Sequence, residues 1–375
     1  MRVEIVEELP LVSVLMPILN EESNLPRCLS ALAAQDYPKE RLQLLIADGG
    51  STDRSLDIVR EFQSDLQITV LDNSERKEAE WGKALAYGFA TGSYILLDDA
   101  DMWPSSPTLI SRMVDVMETR KNLSGVAARY QPSSELSLWS RYLSYDEFQR
   151  DPLFQALTPS MDEFVTEKCP GFDICSFPTS RVPPMGQTTM YRRQDIDLDR
   201  WNGSFNDIDL VAFLVKQGKN QFGYVRDVGW VHEHCTSLRQ LMRKRRRNMV
   251  GQSNSYLRAG TKRDFVWLDT TSTKEVIHLG LFAIQANLII PESLRGIRDS
   301  IRSRRWEQLL RPIASIAITD TLVWSLIRNN QGRSIIRRIL RRQRLQESIS
   351  QNEKRITSRD VDSENKSHRT GQSES

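Results

Sequence analysis

Cysteine and histidine are both scarce, with four of each in 375 residues. Cys28, Cys169, Cys175 and Cys235 form no CxxC pair and keep no repeating interval. That excludes a disulfide framework and a structural zinc site, and leaves reduced thiols as the expectation. Charge of one sign is also lacking: 51 Lys and Arg face 49 Asp and Glu, a net charge of +2, so no global field draws the chain to nucleic acid. No uninterrupted apolar run reaches the roughly 18 residues that mark a membrane span. The nearest approaches, Val276 to Ile290 and Leu309 to Ile327, are interrupted by His278, Gln285 and Asn287 and by Arg311 and Asp320. They read as buried core helices, re-entrant segments or in-plane membrane helices. The opening MRVEIVEELP carries acids where a secretion signal needs a positive end and an apolar run, so the expected location is the cytoplasm.

What is present is ordinary for a folded chain, 39% apolar and 27% charged. The length suits one large α/β domain with appendages, or two domains, at roughly 150 residues each. Over the first 130 residues short apolar runs alternate with helical periodicity. Leu11 to Met16, Leu42 to Ala47, Ile68 to Leu71 and Tyr94 to Leu97 read as strands, the first stopped by Pro17. Asn24 to Gln35, Asp53 to Phe62 and Trp81 to Ala90 read as helices between them. Strand–helix alternation implies βαβ units and a mostly parallel central sheet flanked by helices, with ligands beyond the carboxyl ends of the strands. Gln131 to Pro184, rich in Ser, Pro and aromatics, reads as an irregular or partly helical insertion. A helix from Asp207 to Gln217, a strand from Gln221 to Val225 and a basic helix from Ser237 to Ser253 follow.

Polar clusters sit where those strands end. Asp98-Asp99-Ala100-Asp101 packs three carboxylates into four positions, a costly arrangement unless a divalent cation bridging a diphosphate neutralises them or the turn is solvated and caps a helix near Ser106. Asp48 precedes Gly49-Gly50-Ser51-Thr52-Asp53; Asp53 suits a helix cap, whereas Asp48 has no evident structural task and suits hydrogen bonding to a base or ribose. Gly82-Lys83 near a helix start places either a phosphate-binding ammonium or a plain surface lysine. In Phe205-Asn206-Asp207-Ile208-Asp209 one carboxylate would cap a helix and the other would serve as general base. His232 and His234 share a face at strand spacing and suit either core packing or a contact to a metal. Arg239 to Arg247 is a solvated face, a phosphate site or a membrane contact.

Taken together, the strand ending Pro17-Ile-Leu-Asn-Glu, then Asp48-Gly-Gly-Ser-Thr-Asp, Gly82-Lys-Ala, Leu97-Asp-Asp-Ala-Asp, Gly186 to Arg193, Asn206-Asp-Ile-Asp and Val231-His-Glu-His resemble a family 2 glycosyltransferase of the GT-A fold over about residues 11–252. The resemblance implies an α/β GT-A fold and an inverting, non-processive transfer from a nucleotide-diphospho-sugar (UDP-, GDP- or dTDP-linked) to a hydroxyl on a glycan or a lipid-linked acceptor, as in cell-envelope or exopolysaccharide synthesis. It implies nucleotide-sugar contacts from Pro17, Glu21, Asp48, Lys83 and Asp99. It further implies a Mg2+ or Mn2+ ion on Asp99 and Asp101 with His232 or His234 nearby, and Asp207 as catalytic base. Three positions depart from the pattern. Leu19 replaces a base-stacking aromatic, Asn206 replaces an acid, and Asn248 stands where processive members have Trp. A degenerate membrane-associated scaffold and a sugar-phosphate nucleotidyltransferase are the competing readings.

Residues 1–265 are thus expected to form the catalytic domain, with a nucleotide-binding half over 1–130 and an acceptor half over 131–265. Residues 266–345 are expected to form a helical basic extension. From Arg295 to Arg344 it carries 13 Arg against Asp299, Glu307 and Asp320, which favours an anionic membrane surface and a place at the inner face of the cell membrane. Residues 346–375, polar and without aromatics, are expected to be disordered.

Overall fold

A computed structural model describes residues 8–199, 205–250, 264–266, 268 and 272–328, with single positions at 333, 334, 337, 341 and 344. The tail expected to be disordered, most of the opening decapeptide and the last residues of the basic helix lie outside the described residues.

Four short apolar runs build one end of the sheet. β1 (Val12–Ile18), β2 (Leu42–Asp48), β3 (Gln67–Asp72) and β4 (Tyr94–Leu97) run parallel in the order β3-β2-β1-β4. Helices α1 (Leu25–Ala33), α2 (Ser55–Glu61) and α3 (Ala79–Phe89) connect them, as the alternation predicts. Successive side chains point to opposite faces. Val14 and Met16 therefore pack with Leu29 and Ile58 on one side, and Leu15 with Leu45, Leu97 and Ala86 on the other. Covering both faces explains why β1, β2 and β4 read as unbroken apolar runs rather than alternating ones, while β3 is a largely exposed edge. Pro17 does not end β1. It pairs across to Ala47, while the ladder to β4 stops at Leu15↔Leu97, so its missing N–H costs no bond on that side.

The second half widens the sheet. In chain order come β5 (Met102–Pro104), α4 (Leu109–Thr119), β6 (Gly125–Tyr130), α5 (Leu138–Leu143) and α6 (Pro152–Leu157). Next are β7 (Val165–Cys169), β8 (Phe172–Ser176), β9 (Thr189–Arg192), α7 (Asp207–Lys216), β10 (Gln221–His232) and α8 (Leu238–Val250). The full order is β3-β2-β1-β4-β9-β6-β10-β8-β7, with β5 antiparallel to the end of β10. β9 enters antiparallel between β4 and β6, and β10 lies parallel to β6.

Two expectations change here. The stretch 131–184 is not simply irregular, because β7 and β8 form a hairpin that extends the sheet. Its turn is Pro170-Gly171, with Gly171 at φ +84°, a conformation that favours glycine. β10 does not stop at Val225; after a shift in register between Val225 and Gly229 it continues to His232.

The extension is helical: α9 (Thr273–Asn287), α10 (Ile290–Ser303) and α11 (Arg311–Arg328). It packs on the domain. Phe282, Ala286, Ala314 and Ile318 share an apolar cluster with Tyr142, Leu153, Phe154 and Leu241. Polar ties add to it: Arg311 Nη1 donates to Gln155 Oε1 (2.8 Å) and Gln308 Nε2 to the Tyr142 carbonyl (3.0 Å). Among the described residues no single helix is long and apolar enough to cross a membrane; Ile277–Asn287 and Ile290–Ser303 meet at an 81° bend.

Candidate active site

The carboxyl ends of β1, β4 and β10 and the start of α7 open onto one cleft of about 610 Å³. Of the residues singled out from sequence, Pro17, Glu21, Lys83, Asp99, Asp101, Asp207, His232 and His234 all line it. Asp48 does not. Its carboxylate accepts hydrogen bonds from the Gly50 and Ser51 N–H groups (3.2 and 3.1 Å) and from Ser51 Oγ (2.6 Å). The expectation that Asp48 lacks a structural task is therefore corrected, since it folds the turn that leaves β2. Asp53 is not the cap of α2 that the sequence suggested, since Arg54 holds that position; one residue earlier, it accepts from the Ser55 N–H (3.0 Å) and ties down the Glu22 N–H (3.1 Å).

The acidic turn after β4 is divided by burial. Asp98 is 0% exposed, with only the Cys28 thiol 3.8 Å from its Oδ2. Burial, reinforced by the neighbouring Asp99 and Asp101, pushes its carboxyl well above the usual range, so it is held as the neutral acid. Asp99 accepts from Gln187 Nε2 (2.5 Å) and lies 3.0 Å from Lys83 Nζ. Asp101 lies 3.3 Å from His232 Nε2 and 3.8 Å from Lys244 Nζ. Burial alone would raise Asp101; His232 and then Lys244 outweigh it and bring the carboxyl down to about 2. One protonated and two compensated carboxylates resolve the repulsion that the bare sequence poses.

Across the cleft, Asp207 is the first residue of α7. The helix cap is neither carboxylate: Asn206 Oδ1 accepts from the Asp209 N–H (3.0 Å), and Asp209 itself accepts from the Phe265 N–H (2.8 Å). The replacement of an acid by Asn at 206 thus supplies the cap and leaves Asp207 pointing into the cleft. Lys83, only 4% exposed, is no surface lysine. Its ammonium spans Asp99 and Asp207, at 3.0 and 3.3 Å. Burial works against its charge, but the two carboxylates prevail and raise its pKa.

β10 delivers His232 to Asp101, while His234 stands edge-on to the His232 ring at 5.1 Å. Burial, with Lys244 beside it, holds His234 well below the usual imidazole value and hence neutral. The basic run of α8 divides as well. Arg245 is buried against Asp151 and over the Phe154 ring (4.4 Å), Lys244 and Arg247 reach the cleft, and Arg239, Arg243 and Arg246 are solvated. Gln187 was given no role from sequence. It bridges Tyr130 OH (3.3 Å) to Asp99, and its only sequence signal was its position after Gly186.

That glycine is a close-approach residue. A Cβ on Gly186 would meet the Asp207 carbonyl carbon at 2.4 Å and the Ile208 nitrogen at 2.6 Å. Gly186→Ala is expected to destabilise the protein by about 1–3 kcal/mol through overpacking and to displace Asp207. Gly88→Ala, with nothing within 4 Å of the added carbon, is expected to be neutral or stabilising. Denaturant unfolding of both variants checks this, and equal stabilities would refute it.

Oxygen donors of Asp99 and Asp101 with an imidazole beside them suit Mg2+ or Mn2+ chemically. Among the described residues no three His, Cys, Asp or Glu side chains gather into a ready-made metal site. Mg2+ is commonly held by one or two carboxylates plus substrate phosphates, so the donor set fits a cation shared with a diphosphate.

Residues 13–177 match the family described as glycosyl transferase family 2. The chain is 28% identical over 144 residues to the glycosyltransferase AglE of Haloferax volcanii, covering 38% of this chain and 47% of that protein. It is 30% identical over 136 residues to a dolichyl N-acetyl-alpha-D-glucosaminyl phosphate 3-beta-D-2,3-diacetamido-2,3-dideoxy-beta-D-glucuronosyltransferase of Methanococcus voltae, covering 33% and 40%. The matched part thus spans less than half the length of these curated relatives. In fold the chain is similar to mannosyltransferase PcManGT from Pyrobaculum calidifontis, solved with GDP-Man and Mn2+. The TM-score is 0.50 at 18% identity, over 85% of this chain and 88% of that one. The architecture is that of the GT-A fold, and residues 13–177 match the family described as glycosyl transferase family 2.

Proposed function

We propose that the cleft transfers a sugar from a nucleotide-diphospho-sugar to an acceptor hydroxyl with inversion at the anomeric carbon, one residue per encounter. The observation that carries this reading is the meeting of Asp207 with Asp99 and Asp101 in one cleft, Asp207 and Asp99 sharing the Lys83 ammonium. In that arrangement Asp207 takes the proton of the acceptor hydroxyl. The freed oxygen attacks the anomeric carbon as the bond from that carbon to the diphosphate oxygen breaks, and the nucleoside diphosphate leaves with the electron pair. A divalent cation held by Asp99 and Asp101, with His232 alongside, would offset the charge that builds on the departing diphosphate. Lys83 pairs with both carboxylates and orients them, and Gln187 fixes the rotamer of Asp99. Pro17, Glu21, Asn73 and Lys77 line this cleft and are assigned to the nucleotide; Gln149 and Phe154, beside and on α6, line it too and are assigned to the acceptor. Asn248 in place of the processive-type Trp accords with single transfer. If the acceptor is a lipid phosphate, already ionised, Asp207 has no proton to remove and its charge matters less.

A thermal-shift screen of UDP-, GDP- and dTDP-sugars with Mn2+ or Mg2+ tests donor binding. The matching donor at about 100 times its Kd is expected to stabilise the protein by about 2.7 kcal/mol. No shift with any donor in either cation would sink the reading.

A further inference from the structure

Large apolar residues are exposed in one region. Of the 19 that stand out among the described residues, all but Leu9, Leu19, Val70 and Phe89 lie between Ile277 and Ile327. Patches of this kind on a folded domain mark interaction sites. Their order along the helices is regular. On α10, Ile290, Leu294, Ile297 and Ile301 follow the spacing i, i+4, i+7, i+11 and form one stripe, with Ile301 74% exposed. On α9, Ile277, Leu281, Ile284 and Leu288 repeat that spacing, while Phe282 and Ala286 turn into the core.

α10 is amphipathic the wrong way round for a soluble protein. Its buried face holds Glu292 and Asp299. Glu292, 0% exposed, accepts from Arg311 Nε (2.8 Å) and Ser315 Oγ (2.9 Å) of α11. Its exposed face is the apolar stripe. Arg295, Arg298 and Arg302 run along one flank of that stripe, and Arg304 and Arg305 follow its end. The Arg298 side chain is 68% exposed, and Arg302 is exposed as well.

We propose that α9 and α10 dock on an anionic lipid bilayer, lying in the plane of its surface with both stripes among the acyl chains and the α10 arginines at lipid phosphates. An apolar stripe with a basic flank is the pattern of an in-plane helix. The 81° bend between the two helices rules out one straight span while leaving both apolar faces outward. A second copy is a poorer occupant, because a self-complementary contact would set the arginine flank against itself. The chain's own segment beyond Gln346 is polar and charged, and residues 329–345 set Ile335, Ile336, Ile339 and Leu340 among six Arg, a basic run that the α10 arginines would repel. α11 and α9 pack on α6, whose Phe154 lines the cleft. On the transfer reading above, docking therefore brings the acceptor wall beside headgroups, where a lipid-linked acceptor is presented; the docking itself does not depend on that reading.

The test uses the full chain without donor or acceptor, so its outcome is separate from catalysis. Co-sedimentation with phosphatidylcholine–phosphatidylglycerol vesicles is expected to exceed that with phosphatidylcholine alone, and to fall as salt rises. The triple variant Leu294→Ser, Ile297→Ser, Ile301→Ser alters only exposed side chains. It is expected to keep its circular dichroism and Tm while its vesicle partition falls by about a hundredfold. Arg298→Gln with Arg302→Gln is expected to lose the preference for anionic lipid and retain the fold. Wild-type protein left in the supernatant at low salt, or a triple variant that binds as well as wild type, would overturn the proposal. So would a dimer that the triple variant dissociates in the absence of vesicle binding.

Discussion

Replacing Asp207 with Asn is expected to slow the chemical step by about 10²–10⁴-fold, the range of a lost general base. The substitution is nearly isosteric. Asn keeps an oxygen for the Ile208 N–H, which Asp207 Oδ1 now accepts at 2.8 Å, and the cap of α7 belongs to Asn206 rather than to this residue. What disappears is the charge that Lys83 pairs with at 3.3 Å. Lys83 retains Asp99, so its ammonium stays compensated and the fold is expected to hold. The reading requires kcat to fall while the donor KM and the Tm barely move, which marks an interaction used in the transition state rather than in binding. A variant turning over at the wild-type rate on a hydroxyl acceptor would remove Asp207 from the chemistry.

The second large effect concerns Asp101. Asp101→Ala is expected to lower kcat/KM by about 10²–10³-fold, the equivalent of several kcal/mol of charge stabilisation lost at the leaving diphosphate. Stability should fall modestly as well. The pairs with His232 and Lys244 that bring the Asp101 carboxyl down to about 2 stabilise the folded state at neutral pH, and the buried His232 loses the partner 3.3 Å away. A chelator should reproduce the loss in the wild type and add little in the variant. Full cation-dependent activity in Asp101→Ala, or a chelator that leaves the wild type untouched, would refute the assignment.

The parallel half of the sheet was legible because β1, β2 and β4 are buried on both faces and its crossovers have strong helical periodicity, so Tyr94–Leu97 emerges with matching bounds. The hairpin Val165–Ser176 was not legible: Val165-Thr-Glu-Lys-Cys is an edge strand whose exposed polar residues carry no apolar alternation. Its Pro170-Gly171 turn was the available clue. The late half of β10 was hidden for another reason, since Arg226 and Asp227 interrupt the apolar pattern where the register shifts. At the site, residue types and their order brought Asp99, Asp101, Asp207 and the histidines into view. Spacing along the chain carries no record of what a side chain touches. That is why Lys83 read as ambiguous, Asp48 as free to bind a base or ribose and Gln187 as silent. α10 shows the same limit in reverse: its periodicity is plain in the sequence, but only packing reveals that its polar side faces inward.

One consequence of the broken ladder in β10 concerns tolerance of chain-length change. Arg226, Asp227 and Val228 form a three-residue excursion after which Gly229 resumes against Arg129 and His232 ends opposite Met102. Arg226 is held by Asp173 and Asp227 by Arg112, so the detour is pinned on both sides. Side chains alternate with a period of two, so a deletion here that drew the downstream strand one residue along its partners would put Glu233 opposite Met102 and turn the imidazole to the far face. The excursion thus works as a phase keeper. Surface loops generally tolerate changes of length, whereas the length of this excursion is tied to a side chain four residues downstream.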